Sequence, residues 1–270
     1  MIRGRAGRFI GRTCLITGST GMAASAARAI GAEGGTVFIV SRTPGHAEAL
    51  AGMIIADGGS AAWYAADVTR ESEVEAAVEA CLVRTGRIDA VFSAAGISGR
   101  RFGDGPLDAA TLEGWETVMA ANATSQFLVC RAVIRRMLEQ APDAMGGRGV
   151  VLTMSSTLAT SPSPKHFATH AYAASKGAIE AFTRAAAAFY APLGIRVNAI
   201  APALVATPMT RRAQDDPEVR AYLARKQPLA GGPIDPEAVT PAALFLLSDD
   251  ARMVTGQVIA VDGGWSVSEG

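Results

Sequence analysis

The chain has little of several features that mark particular classes of protein. Its 25 Lys and Arg residues are balanced by 25 Asp and Glu residues, so no net charge attracts nucleic acid or an anionic membrane. It has no uninterrupted apolar run of about 18 residues, and its first ten residues carry arginines without the apolar core of a signal peptide. We therefore predict a soluble, cytoplasmic protein that binds neither nucleic acid nor a membrane.

Cysteine is also scarce. The three cysteines, Cys14, Cys81 and Cys130, are odd in number, far apart, and set in apolar or helical segments. This pattern predicts reduced thiols in a core, and it disfavours both a disulfide framework and a metal site. With 49% hydrophobic residues in a length of 270, the chain suits one large domain with a substantial core, so binding should come from a pocket.

Short apolar runs rich in β-branched residues alternate with longer alanine-rich stretches. The pattern predicts seven strands separated by helices, at Thr13 to Ile16, Thr36 to Val40, Ala61 to Ala65, Ala90 to Ser93, Val150 to Met154, Arg196 to Ile200 and Val258 to Val261. Strands that are apolar on both faces indicate a parallel sheet covered by helices on each side, which is an α/β fold. In such folds ligands bind beyond the carboxyl ends of the strands.

A glycine turn follows the first predicted strand directly. The segment Thr17-Gly-Ser-Thr-Gly21-Met-Ala-Ala24 opens an alanine-rich helix that runs to about Ala32. Glycines permit a tight turn and a close backbone approach, while a helix N-terminus offers free N–H groups to a pyrophosphate. A plain strand-to-helix turn is the alternative, but its position between two strands favours dinucleotide binding.

Polar residues after the second and third strands suggest how a dinucleotide would be read. In proteins that bind NAD, an acidic residue after the second strand hydrogen-bonds the ribose 2′-hydroxyl. This chain has Ser41 and Arg42 there, and an arginine favours the 2′-phosphate of NADP over NAD. A solvated arginine is the alternative. Asp67 is a candidate either to accept from an adenine amino group or to cap the helix that starts near Glu71. Small residues in Ser93-Ala-Ala-Gly96 would let a cofactor lie against backbone.

Tyr172 and Lys176 are separated by one helical turn, so on a helix they share a face. An ammonium beside a phenol favours the phenolate and makes proton exchange easier near neutrality. Carbonyl and alcohol redox chemistry needs such a proton donor and acceptor. Taken alone, the pair is far more typical of an ordinary helix surface.

With these elements in place, the chain resembles the short-chain dehydrogenase/reductase family from Thr13 to about Trp265, and within it the 3-oxoacyl-carrier-protein reductase-like branch. The segments that carry the resemblance are Thr17-Gly-Ser-Thr-Gly21, Asp67-Val68, Ser93-Ala-Ala-Gly96, Asn122, Val151-Leu-Thr-Met-Ser-Ser156, Tyr172-Ala-Ala-Ser-Lys176, Arg196-Val-Asn-Ala-Ile-Ala-Pro202, Thr207-Pro208, Val254-Thr-Gly-Gln-Val258 and Val261-Asp-Gly-Gly264. The resemblance implies a single Rossmann-type, doubly wound domain over residues 1–270, with its core at about 11–266 and seven parallel strands. It also implies hydride transfer between a nicotinamide and a carbonyl or alcohol.

The resemblance assigns roles to four residues at the expected places. Tyr172 would be the general acid in reduction and the base in oxidation, while Lys176 would lower its pKa and hold the nicotinamide ribose. Ser156 would hydrogen-bond the substrate oxygen, with the neighbouring Ser155 as the alternative. Asn122, inside a helix predicted from Glu116 to Met137, would position a water that links Lys176 to solvent.

The resemblance also outlines a cofactor site for NADP(H), with NAD(H) possible, and Thr207 would hold the carboxamide. The residues expected around the cofactor are Gly18, Ser19, Thr20, Gly21, Met22, Ser41, Arg42, Asp67, Val68, Ala94, Ala95, Gly96, Tyr172, Lys176, Pro202, Val205 and Thr207.

The sequence departs from the family pattern in several places. Only two residues separate Gly18 from Gly21 where three are usual, which resembles the extended branch of epimerases and dehydratases. The chain length and Val261-Asp-Gly-Gly264 favour the shorter reductase branch instead. The interval from Ser156 to Tyr172 is longer than in familiar members, and the extra residues fall in Ser161 to His170, which would reshape one wall of the substrate pocket.

The predicted function is NADP(H)-dependent oxidation or reduction of a small-molecule ketone or secondary alcohol. The alternatives are a non-catalytic dinucleotide sensor and an NAD-dependent dehydrogenase or epimerase-like member. Substrate-facing candidates are His166, Phe167 and His170, together with a lid over residues 207–236. The alternative, which the sequence favours for the histidines, is that they are solvated in a loop. The family commonly forms tetramers, so we expect a homo-oligomer, tetramer or dimer, through Ala178 to Tyr190 and Val258 to Trp265.

Overall fold

The structure, a computed structural model, describes residues 7–269; residues 1–6 and Gly270 of the predicted domain lie outside the described residues. Seven parallel strands form one sheet in the order β3-β2-β1-β4-β5-β6-β7. The strands are β1 (Thr13–Thr17), β2 (Thr36–Ser41), β3 (Ser60–Ala65), β4 (Ala90–Ser93), β5 (Gly149–Met154), β6 (Ile195–Pro202) and β7 (Val258–Val261). All seven predicted strands are confirmed, with bounds that shift by at most two residues.

Helices cover both faces of this sheet. They are α1 (Gly21–Ala32), α2 (Pro44–Ala56), α3 (Glu71–Thr85), α4 (Leu112–Met119), α5 (Ser125–Glu139), α6 (His170–Tyr190), α7 (Arg211–Asp215), α8 (Pro217–Lys226) and α9 (Pro236–Leu247). One core cluster joins the sheet to α1, α2 and α9, and a second joins the other face to α3, α5 and α6. The predicted doubly wound α/β fold is therefore confirmed.

The winding direction reverses at β1. The chain builds β2 and β3 on one side of β1 and then returns to place β4 on its other side. Side chains of β1 alternate between the two core clusters, since Leu15 packs on one face of the sheet and Ile16 on the other. Connections from β1 and β4 leave in opposite directions, which opens a crevice beyond their carboxyl ends.

The predicted helix from Glu116 to Met137 is not a continuous α-helix. A π-helical turn at Ala120–Thr124 separates α4 from α5, so the expectation of an uninterrupted α-helix is wrong. The wider turn places Asn122 in the interior. By length and composition the stretch Leu112–Glu139 is apolar enough to cross a bilayer, but 56% of its apolar window is buried within the fold, as in a core helix.

The start of α6 is held by a residue far away in sequence. The Asp104 carboxylate accepts hydrogen bonds from the backbone N–H groups of Ala171 (3.0 Å) and Tyr172 (2.9 Å). Asp104 is only 6% exposed, and its charge meets the positive end of the helix dipole. The ring nitrogen Nδ1 of His170 adds a contact of 2.9 Å to the carbonyl oxygen of Gly105. The loop after β4 and the first turn of α6 are thus fixed to each other.

We expect Asp104→Ala to lower the free energy of unfolding by about 1–2 kcal/mol, because two N–H groups at a helix start lose their acceptor. Amide hydrogen exchange at Ala171 and Tyr172 should accelerate as well. Urea unfolding and exchange mass spectrometry measure both effects. Asp108→Ala, an exposed change on the same loop, is the control and should leave both values unchanged. Equal stability of the Asp104 and Asp108 variants would contradict this role.

Candidate active site

A cavity of about 340 Å³ lies in the crevice beyond the carboxyl ends of the strands. Every residue predicted to surround the cofactor lines it: Gly18, Ser19, Thr20, Gly21, Met22, Ser41, Arg42, Asp67, Val68, Ala94, Ala95, Gly96, Tyr172, Lys176, Pro202, Val205 and Thr207. Parallel strands bring these residues together because each contributes the loop that follows its carboxyl end. The structure therefore assembles the predicted set into one continuous surface.

The shortened glycine turn still forms a tight entry into α1. Gly18 and Gly21 have φ angles of +98° and +55°, in the left-handed region that favours glycine. A Cβ atom at Gly21 would lie 2.7 Å from Cγ2 of Thr207, so this turn and the loop after β6 approach closely. No side chain caps the N-terminus of α1, whose first N–H groups are therefore available to an anion. The geometry fits a pyrophosphate.

Arg42 stands at one end of the cavity, beside polar side chains from two loops. The hydroxyl oxygens of Ser19 and Ser41 lie 2.8 Å apart. Thr43 and His46 also line this end and were missed in the sequence. The signal for them was weak: α2 begins at Pro44, directly after β2, so its first turn must lie near Arg42.

Asp67 does not cap α3. Its Oδ1 accepts hydrogen bonds from the N–H (3.0 Å) and the hydroxyl (2.7 Å) of Thr69, and the residue at the N-cap is Arg70. The capping alternative is therefore wrong, and the carboxylate remains in the cavity wall. Burial acts to raise the pKa of Asp67, but the two bonds from Thr69 and the charges of Arg42 and Arg70 outweigh it and lower the pKa below its usual value.

Tyr172 and Lys176 lie on one face of α6, as predicted. Lys176 is 3% exposed; its Nζ donates to the carbonyl oxygen of Met154 at 2.8 Å and lies 5.4 Å from the centre of the Tyr172 ring. Burial lowers the pKa of Lys176 to about 7, because an ammonium loses its hydration there. At neutral pH this group is therefore partly uncharged.

The phenol does not have the lowered pKa that the sequence predicted. Burial raises the pKa of Tyr172, and a hydrogen bond with Ser156 opposes that rise without cancelling it. The expectation that Lys176 lowers this pKa is wrong for the protein as described. The physical reason is that burial disfavours charge on both partners, so neither stabilises the ionised form of the other.

The two neighbouring serines face different surroundings. The Ser155 hydroxyl donates to Oε1 of Glu180 at 2.9 Å, deep under α6. Ser155 also borders the crevice, whereas Ser156 lines a second cavity together with Tyr172, and the Ser156 hydroxyl lies 3.4 Å from the carbonyl oxygen of Pro202. Geometry therefore favours Ser156 over Ser155 as the hydroxyl that meets a substrate.

Asn122 connects the loop after β4 to α6. Its Oδ1 accepts from the Ile97 N–H at 2.8 Å, while its Nδ2 donates to the Ile97 carbonyl (3.1 Å) and to the Ser175 hydroxyl (3.2 Å). A Cβ atom at Gly96 would lie 2.8 Å from Oδ1 and 3.8 Å from Nζ of Lys176, so only glycine fits there. Asn122 thus holds backbone beside Lys176; its predicted contact with a water stays a prediction.

The second cavity, of about 120 Å³, adjoins the crevice at Tyr172. Its other lining residues are apolar (Leu158, Phe167, Ala203, Leu204, Met209, Ala213 and Trp265) or polar (Ser98, Arg100, Ser156, Thr157, Thr169, Thr210 and Arg212). Sequence reasoning placed Phe167 here correctly but missed Arg100, Trp265 and the position of Arg212. Trp265 was missed because it was expected at a subunit interface. Arg100 was missed because it belongs to no recognised sequence motif.

Four aromatic rings form a cluster behind this cavity. His166 lies 4.7 Å from Tyr222, Tyr222 lies 5.8 Å from Trp265, and Trp265 lies 5.9 Å from Phe167, measured between ring centres. The indole N–H of Trp265 also donates to the carbonyl oxygen of Ser161 at 3.0 Å. His166 and His170 do not line the cavity, which agrees with the alternative that they are solvated side chains and not with a ligand-facing position.

Comparison with known proteins agrees with this architecture. The family model described as enoyl-(acyl carrier protein) reductase matches residues 16–266. D-threitol dehydrogenase of Mycolicibacterium smegmatis is 33% identical over 261 residues, which cover 96% of this chain and 95% of that protein.

Two solved structures illustrate the likeness in three dimensions. A 3-ketoacyl-(acyl-carrier-protein) reductase of Brucella melitensis complexed with NADH is 32% identical, with a TM-score of 0.83 and coverage of 96% of this chain and 99% of that one. A gluconate 5-dehydrogenase of Burkholderia cenocepacia in complex with NADP and tartrate is also 32% identical, with a TM-score of 0.85 and coverage of 96% of each chain. The match of residues 16–266 and the shared seven-stranded fold show that this chain belongs to the short-chain dehydrogenase/reductase family of oxidoreductases.

Proposed function

We propose that the protein is an NADP(H)-dependent oxidoreductase that moves a hydride between a nicotinamide and a small ketone or secondary alcohol. One observation carries this proposal: Tyr172, Ser156 and Lys176 meet where the large crevice adjoins the smaller, mainly apolar cavity. A dinucleotide in the crevice and a carbonyl in the cavity would place their reacting groups at that junction. The dehydrogenase and reductase names of the relatives support the same class of reaction.

The bound nicotinamide would supply or accept the hydride at the carbonyl carbon. The Tyr172 hydroxyl donates its proton to the substrate oxygen in reduction and takes it back in oxidation. The Ser156 hydroxyl donates a hydrogen bond to the same oxygen as negative charge develops there. Lys176, with a pKa of about 7, is suited to hold the proton that restores Tyr172.

The crevice wall supports a dinucleotide with a 2′-phosphate. The uncapped N-terminus of α1 would receive the pyrophosphate, and Asp67 would accept from the adenine amino group. Arg42, exposed at the rim, would pair with the 2′-phosphate. Since one relative is complexed with NADH and another with NADP, the preference for NADP rests on Arg42.

We also propose that residues 207–236 act as a lid and that the protein self-associates through Ala178 to Tyr190 and Val258 to Trp265. Thr207, Met209 and Thr210 line the crevice, and Arg212 and Ala213 of α7 line the second cavity, so the first part of this segment borders both. Phe127 and Phe189 are exposed large apolar side chains on α5 and α6, and a second copy would bury them.

Tyr172→Phe should abolish turnover, with a loss of at least about a thousandfold, because phenylalanine has no proton to exchange. Cofactor affinity should change little. Steady-state oxidation of NADPH with a ketone panel, alongside fluorescence titration with NADPH, separates the two. Tyr190→Phe removes a hydroxyl at the other end of α6 and should retain full activity. Substantial turnover by the Tyr172→Phe variant would rule out this assignment.

Arg42→Asp should raise the dissociation constant of NADPH by at least about tenfold and leave that of NADH within about twofold, because a charge-assisted pair with the 2′-phosphate is replaced by repulsion. Both constants are measured by fluorescence titration. Arg70→Gln removes an exposed charge that also lies near Asp67 but does not line the cavity, so it should affect neither constant. An equal loss for both cofactors would reject the phosphate-binding role.

The buried amine of Lys176 should make stability rise with pH. Its folded pKa of about 7 lies below the ordinary 10.5, so between these values the unfolded chain binds more protons than the folded one. Unfolding free energy of the wild type, relative to Lys176→Met, should increase by about 1.4 kcal/mol per unit between pH 8 and 9.5. Urea unfolding of both proteins across pH 7–10 tests this. Parallel curves would mean that the amine keeps its ordinary pKa.

A further inference from the structure

The mouth of the smaller cavity carries two positive charges on different elements. Arg100 belongs to a short 3₁₀ turn, Arg100–Phe102, in the loop after β4, and Arg212 belongs to α7. Both side chains line the cavity that contains Ser156 and Tyr172. Between residues 7 and 269, neither guanidinium forms a salt bridge with a carboxylate. The loop and the lid thus bring two cations to one opening.

These two cations are near enough to disturb each other. Partial burial is the largest cause that lowers the pKa of Arg100, and the charge of Arg212 lowers it further, against the opposing charge of Asp104. Asp104 is already occupied, since both of its carboxylate oxygens accept N–H groups of α6. Arg100 and Arg212 repel each other because neither has a carboxylate partner among the described residues that line the cavity. An anion bound between them would remove this repulsion.

The Arg100 side chain is held in place while most of its donors remain free. Its Nη2 donates to the carbonyl oxygen of His166 at 2.7 Å, which fixes the guanidinium against the lengthened loop. A guanidinium has five N–H donors in a planar fork, so the remaining ones are available to a ligand. A held guanidinium fork beside a second arginine matches the paired oxygens of a carboxylate or phosphate.

The rest of the cavity surface is mainly apolar, although Ser98, Thr157, Thr169 and Thr210 also line it. Phe167, Trp265, Leu158 and Leu204 form its walls. Its volume is about 120 Å³. The cavity therefore combines the hydroxyl groups of Tyr172 and Ser156, two exposed arginines and apolar walls.

We propose that the substrate is a compact ketone or secondary alcohol with an apolar body and an oxyanion group, carboxylate or phosphate, which Arg100 and Arg212 bind at the mouth of the cavity. This inference rests on the proposed function for the reacting end and adds the class of substrate. Neutral alcohols of the same shape would bind less tightly. Because both arginines are exposed, salt would screen the attraction and raise KM for the anionic substrate.

A matched pair of substrates tests the proposal. In the wild type, 4-oxocyclohexanecarboxylate should have a kcat/KM at least about tenfold above that of the neutral 4-oxocyclohexanecarboxamide, mainly through KM. Arg212→Gln should remove this preference, whereas Arg211→Gln, an exposed change on the same helix that does not line the cavity, should keep it. An acid-to-amide ratio that is the same in all three proteins would overturn the proposal. Running 4-oxocyclohexyl phosphate beside the carboxylate identifies which oxyanion the site prefers.

A binding measurement separates this inference from the proposed reaction. Calorimetric titration of wild type and Arg212→Gln with cyclohexanecarboxylate and cyclohexanecarboxamide needs no turnover. If the wild type binds the carboxylate more tightly than the amide and the variant does not, the anion site is supported. If no ketone is reduced in that case, the proposed function is wrong and the anion site still stands. Reduction of ketones without any preference for the anion in binding or in kcat/KM would leave the function standing and reject the anion site.

Discussion

One hydroxyl group joins the two strands between which the sheet reverses its winding. Thr17, at the end of β1, accepts hydrogen bonds from the N–H groups of Ala94 (3.0 Å) and Ala95 (3.1 Å), just after β4. These backbone groups leave the sheet at the point where no further strand can pair with them. Their satisfaction by a side chain lets the loops diverge and the crevice open without a buried unpaired donor. The glycine turn, the arginine at the rim and the tyrosine helix all take their positions from that divergence.

Burial, more than charge pairing, sets the proton chemistry of the site. Lys176 is enclosed by the end of β5 and by the backbone that Asn122 holds, and its amine has a carbonyl oxygen, not a carboxylate, as its partner. Such an environment favours the neutral amine and the neutral phenol together. In the proton transfer that we propose for Tyr172 and Lys176, a small change in local charge would be enough to move a proton in either direction.

Much of this structure could be predicted from the sequence, because local patterns control it. The β-branched runs predicted all seven strands, and the resemblance to the family, carried in part by the turn at Gly18 and by Tyr172 and Lys176, implied the crevice residues. Local patterns do not reveal the π-helical turn around Asn122, which depends on tertiary packing. They also do not reveal Asp104, which caps a helix 67 residues away, or Arg100, which meets α7 only through the fold. The pKa of Tyr172 was predicted with the wrong sign because spacing carries no information on burial.

The cluster of four rings has a consequence for how this chain can change over evolutionary time. Its members come from the lengthened loop before α6, from α8, and from the residues that follow β7. A substitution that reshapes one wall of the smaller cavity alters the packing of the other two segments as well. A change of the cavity's shape should therefore require substitutions in all three segments together. A single substitution at one of these rings should be lost by selection, because it disturbs the packing before it improves binding of another substrate.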